Sequence, residues 1–171
     1  MNDLRYHLHR LCPPQGHSCS LPFLRRRGKT AWTVATDGCA LLVVRGAFTD
    51  NVGGPNVRPV FRMKWNKPRS VKWPRLFAEI RERAPVSDHR DSEPVKLHGV
   101  TLNLALLRRF ARGLKADTVT LRASKERIKG STVSTAECLR IDARDWTVLV
   151  MAMLQEPKKV LLTTEPREVG R

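Results

Sequence analysis

Four possible metal ligands, His9, Cys12, His17 and Cys19, lie close together near the start of the chain and could hold zinc by residue type. Their H-x2-C-x4-H-x-C spacing matches none of the common finger patterns, and Pro13-Pro14 stiffens the loop between them. The expectation is no metal and no cofactor, with this cluster as the candidate to check. Glu79, Glu82, Asp88, Asp91 and Glu93 could chelate Mg2+ for a nuclease, but a solvated helix face followed by a loop explains them more simply. Cys39 and Cys138 could each be paired with a distant histidine. Both stand in apolar, strand-like runs, the setting of buried thiols in a reducing compartment. The sequence contains no G-x-x-x-x-G-K-[ST], G-x-S-x-G or H-E-x-x-H motif. An enzyme is therefore not expected.

The basic residues point elsewhere. Lys and Arg number 32 against 16 Asp and Glu, a net charge of +16. A surface of that sign attracts polyanions, and each phosphate it neutralises releases condensed counterions, so binding weakens steeply as salt rises. Nucleic acid is the first partner class to consider; an anionic membrane or an acidic protein comes second. Arg108, Arg112 and Lys115 are spaced four and three residues apart, which places them on one side of a helix.

That helix begins at Asn103 as N-cap and runs to about Gly113, with Leu106, Leu107, Phe110 and Leu114 gathered on its core face. An earlier helix runs from Asp3 as N-cap to about Leu11, with Leu4, Leu8 and Leu11 as its apolar stripe. After it, "LPFLRRR", "TAWTVAT" and "CALLVVRG" are separated by Gly28-Lys29 and Asp37-Gly38, the pattern of a three-strand antiparallel meander. Asp37-Gly38 is expected as a type I′ turn. In the middle strand Trp32, Val34 and Thr36 share one face and Ala31, Thr33 and Ala35 the other, and one of these faces must be core. Residues 46–70 have loop composition, with at most a short strand over 57–63, and prolines bracket a helix in "WPRLFAEIRERAP". Strands are expected over 118–123, 137–143 and 146–154. The order helix, meander, insertion, helix, meander is an internal repeat of an α+β domain.

A chain of 171 residues, 41% of them hydrophobic, has room for one domain with a buried core. No apolar run approaches the ~20 residues of a membrane span, and "MNDLRYHLHR" lacks the apolar core of a secretory signal, so a cytoplasmic location is expected.

Ala35-Thr36-Asp37-Gly38 followed by Leu41 resembles the turn that closes a strand in the bacterial DNA sliding clamp, the β subunit of DNA polymerase III. The family usually has His-Arg after the glycine, where this chain has Cys39-Ala40. "TLNLALLRRFARGL", "TVTLRA" and "VLVMAML" are similar to the last half-domain of clamps, and "VKWPRLFAEIRERAP" looks like a tryptophan-containing segment of clamps and of short phage-encoded clamp-like proteins. The resemblance implies a clamp-like domain over 1–154, with helix-plus-meander half-domains at about 1–48 and 95–154 joined by an insertion over 49–94. The helices would lie on one face of the sheets, and residues 155–171 would form a C-terminal tail. It implies sequence-independent contact with duplex DNA by helix residues Arg5, Arg10, Arg108, Arg109, Arg112 and Lys115, and a partner-peptide cleft involving Met151, Met153 and Leu154. It also implies a processivity role in DNA replication for a phage or mobile element, through a head-to-tail oligomer of the chain or a replication protein, with no membrane partner. The alternative is an interaction protein or inhibitor that uses a clamp-like domain against a host protein and does not encircle DNA.

Overall fold

The computed structural model describes residues 4–14, 16, 19–55, 57, 63–83, 94–126 and 136–152. Helix α1 spans Leu4–Leu11, and the expected meander follows as β1 (Phe23–Arg27), β2 (Thr30–Thr36) and β3 (Ala40–Arg45). An irregular segment leads to β4 (Arg69–Lys72) and helix α2 (Trp73–Arg83). The hairpin β5 (Pro94–Leu97) and β6 (Val100–Asn103) runs into helix α3 (Leu104–Ala111), and the second meander is β7 (Thr118–Glu126), β8 (Ala136–Asp142) and β9 (Trp146–Met151).

One seven-stranded antiparallel sheet takes in both meanders in the order β1-β2-β3-β9-β8-β7-β4. The equivalent third strands, β3 and β9, meet antiparallel at its centre, with Leu42 opposite Val148 and Leu41 opposite Leu149. The fold is α+β, with a separate two-stranded sheet formed by β5 and β6.

The large core lies between the helices and one sheet face. Leu8 and Leu11 of α1, Leu76 and Ile80 of α2, and Leu106, Leu107 and Phe110 of α3 pack against Leu42, Val44, Leu121, Leu139, Ile141 and Val148. Leu42, Leu107 and Leu139 are fully buried, and truncating any one to Ala costs about 2–5 kcal/mol. A smaller core, made of Phe23, Val34, Leu41, Cys138 and Leu149, lies on the opposite face under Val57, Met63 and Trp65 of the irregular segment. Both faces of the central strands are therefore covered. That is why "ALLVV" and "TVLV" read as continuous apolar runs, and why Thr33, Val34, Ala35 and Thr36 are all buried instead of sorting into a core face and a wet face.

The irregular segment is held down as a strap. The Asn51 carbonyl accepts from the Leu24 amide at 2.6 Å, and Arg25 donates to the carbonyls of Gly54 and Pro55 at 3.1 and 2.9 Å. At the far side Asn66 exchanges hydrogen bonds with Ala123 before the chain enters β4. Gly54 sits so tightly on Phe23 that an added Cβ would collide with the ring.

Several local expectations need correction. Only Gly38 has positive φ in its turn, and Thr36 pairs with Leu41, so the connection holds residues 37–40 and is not a two-residue type I′ turn. The Asp37 carboxylate supplies the alternative: its Oδ1 accepts from the Cys39 and Ala40 amides at 2.9 and 2.8 Å, an Asx-type closure. Cys39 consequently sits in an exposed turn and is not a buried strand thiol, whereas Cys138 is buried. Type I′ geometry occurs instead at His98-Gly99, where both residues have positive φ. The strands β4, β5 and β6 were not expected from sequence. The possible strand over 57–63 falls mainly outside the described residues, and none begins at Val57 or Met63. Asp3, the tail over 155–171 and Leu154 lie outside the described residues.

Candidate nucleic-acid interface

Helices α1 and α3 lie side by side on the sheet. Asn103 caps α3 as its spacing suggests, its Oδ1 accepting from the Leu106 amide at 3.1 Å. The helix ends at Ala111, two residues short of the expected Gly113. Arg112 is its C-cap with extended backbone, and Gly113 turns the chain with φ of 83°. Arg112 and Lys115 therefore do not continue the Arg108 helical stripe. They occupy the turn that follows it, and both are exposed.

The six candidate DNA-contact residues divide into two groups. Arg5 and Arg10 on α1 are exposed, as are Arg112 and Lys115, while Arg108 is half-buried. Arg10 lies over the ring of Tyr6, itself 62% exposed, at 5.6 Å. Arg109 is spent internally: it donates to the Leu11 carbonyl at 2.8 Å and lies 3.6 Å from Asp37 Oδ2. Arg109 thus joins the end of α1, the body of α3 and the β2–β3 turn. Its part in the fold is a brace, and its guanidinium is not on offer to a phosphate in this arrangement.

Between α1 and α3, His7 is half-buried and its Nε2 has no hydrogen-bond partner. Burial lowers its pKa, and Arg112 and Arg10 lower it further, against a backbone hydrogen bond with Phe110 that raises it. Arg10 belongs to α1 itself and Arg112 is the C-cap of α3, so both guanidiniums act on this one imidazole.

Lys115 is positioned by residues that sequence reasoning did not assign to the site. Trp73 Nε1 donates to the Leu114 carbonyl at 3.1 Å and Trp146 Nε1 to the Lys115 carbonyl at 3.0 Å. The two indoles meet edge to face with centroids 4.9 Å apart. The pairing of a tryptophan at the start of α2 with one at the start of β9 had no local sequence signal, because 73 residues separate them.

The remaining candidates fall partly outside the described residues, and no metal-ligand group is gathered among those within them. Met151 is 44% exposed at the end of β9, and its cleft partners Met153 and Leu154 lie outside the described residues. Of the metal candidates, His17 lies outside them; Cys12 donates to the Leu8 carbonyl at 3.7 Å, and no group of three or more ligands is gathered among the described residues. Glu79 pairs with Arg75 at 3.7 Å on the exposed side of α2, while Asp88, Asp91 and Glu93 lie outside the described residues. Among the described residues no helix is long and apolar enough to cross a membrane.

The opposite face of the sheet carries a second basic feature, a groove of about 1430 Å3. Arg25, Arg27, Trp32, Val34, Val43 and Arg45 line its middle. The Gly28-Lys29 turn fixes Arg25 directly opposite Trp32, and Trp32 lies opposite Arg45 in the next pair. That register was deducible from the two-residue turn, but the alternation of Arg25 and Arg27 in "FLRRR" gave no sign of which face it would line.

No protein-family model matches the sequence, and no curated protein matches it.

Proposed function

We propose that the chain is a non-enzymatic DNA-binding protein that holds duplex DNA by its phosphates, on a scaffold like a sliding-clamp domain. The observation that carries this reading is the junction of α1 and α3, where Arg109 ties the two helices together and Arg10 of α1 and Arg112 at the C-cap of α3 are both exposed. Arg5 of α1 and Lys115 in the turn after α3 are exposed as well. Such a surface touches phosphates without reading bases, which permits movement along DNA.

The scaffold likeness rests on the internal repeat: a helix before each meander, and equivalent third strands meeting at the sheet centre. The Ala35–Gly38 turn gains a role within it, since Asp37 receives Arg109. A processivity role would require copies of the chain to close around DNA head to tail.

Light scattering after size exclusion, combined with fluorescence anisotropy on a labelled duplex, tests the proposal. Duplex binding that falls when Arg10 and Arg112 become Glu supports it, and an oligomer extends it to encirclement. Binding without assembly leaves a DNA-binding module. The second reading, an interaction protein acting on a host protein, is favoured by the internal use of Arg109, which removes one of the six cations proposed to touch DNA. Unchanged duplex affinity in the reversed variant would favour that reading.

A further inference from the structure

We infer that the groove on the sheet face opposite the helices binds single-stranded nucleic acid, with a base against Trp32 and phosphates on Arg27 and Arg45. This site is separate from the helical surface and does not depend on duplex binding there.

Shape and chemistry both select this occupant. At about 1430 Å3 the groove exceeds the ~300–1,000 Å3 of ordinary small-molecule sites, which suits a polymer strand better than a compact metabolite. Its floor is apolar and partly aromatic: Trp32, Val34 and Val43 are adjacent across β2 and β3, with Val57 of the strap at one side. Its walls are cationic, with Arg27 and Arg45 exposed and Arg144 beside them. Asp145 is the acidic residue in the lining, and its backbone carbonyl accepts from the Arg45 amide at 2.8 Å.

An aromatic floor with arginine walls fits a strand whose bases are unstacked. A duplex presents phosphates and hides its base faces, so it cannot use Trp32, whereas a single strand can stack one base there while its backbone tracks the arginines. Arg25 contributes differently. Its bonds to Gly54 and Pro55 and its position 5.1 Å over Phe23 fix the strap that forms the side of the groove.

The probe is a fluorescein-labelled oligo(dT) of about 20 nucleotides, titrated by anisotropy at low salt. Trp32→Ala should weaken binding at least about fivefold, the lower range for loss of one stacked base, and Trp32→Phe should retain most of it. Arg27→Glu with Arg45→Glu should weaken oligo(dT) binding at least tenfold and flatten its salt dependence, a larger loss than Arg10→Glu with Arg112→Glu produces. Circular dichroism melting identifies misfolded variants, and the exposed Arg27 and Arg45 keep the test valid if Trp32→Ala does not fold. Unchanged oligo(dT) affinity in the Arg27/Arg45 variant would overturn the assignment. Equal binding of an abasic deoxyribose-phosphate oligomer, insensitive to either Trp32 substitution, would also overturn it by reducing the groove to a polyanion site.

Discussion

Arg109 of α3 reaches across to Asp37 in the β2–β3 turn, with Nη1 3.6 Å from Oδ2, while the same guanidinium donates to the last carbonyl of α1. Asp37 is only 12% exposed and its other oxygen closes the turn, so one carboxylate serves both a local and a tertiary purpose. Asp37→Ala should therefore cost about 1–3 kcal/mol and more than Asp37→Asn, which keeps an acceptor for the Cys39 and Ala40 amides. Urea unfolding of the two variants and of Arg109→Ala checks the order.

The indole pair that holds the segment after α3 should behave as a unit. Replacing Trp73 or Trp146 by Phe leaves the buried Leu114 carbonyl or the Lys115 carbonyl without its donor, and each should cost about 1–3 kcal/mol. Because the rings touch, the double variant should deviate from additivity by at least ~0.5 kcal/mol in the same denaturation assay.

His7 gives a pH dependence of definite sign. Its pKa in the folded chain lies below 6.5, so the unfolded chain binds the proton more readily and acid favours unfolding. The stability held by neutral His7 is fully present above the unfolded value and is lost as pH falls through the folded one. Thermal melts across that range should drop less in His7→Gln. Arg112→Ala should move the imidazole titration upward, as followed by NMR.

Gly54→Ala should loosen the strap. The new methyl would meet the Phe23 ring, which is itself fully buried, so either the ring or the strap must shift at about 1–3 kcal/mol. A lower melting temperature, together with faster amide exchange at Leu24, is the expected pair of results.

Cys138 should be inert in the native protein. Burial pushes its thiol up to about 12, so a thiol reagent at pH 8 should label it only after denaturation.

Much of the fold was legible because local signals agreed with tertiary need. Asn103 caps its helix, Leu8 and Leu11 face the core, and Gly28-Lys29 sets a two-residue hairpin. The strand β4 was hidden because "RSVK" is a short, mostly exposed edge with no alternating apolar pattern. The hairpin β5–β6 depends on His98 accepting positive φ, which residue type alone does not announce. Arg109 looked identical to its neighbours in "LLRRFARG". Only the packing of α1 beside α3 separates the brace from the cations left outside, and only the strap over the second sheet face makes a groove around Trp32.

The central claim is most directly tested by the salt dependence of duplex binding in the parent chain and in Arg10→Glu/Arg112→Glu/Lys115→Glu. The parent should show log affinity falling linearly with log salt, and the triple variant should lose at least tenfold in affinity at low salt with a slope shallower by about two to three units. The same slope and the same affinity in both proteins would contradict the assignment of duplex DNA to the helical face.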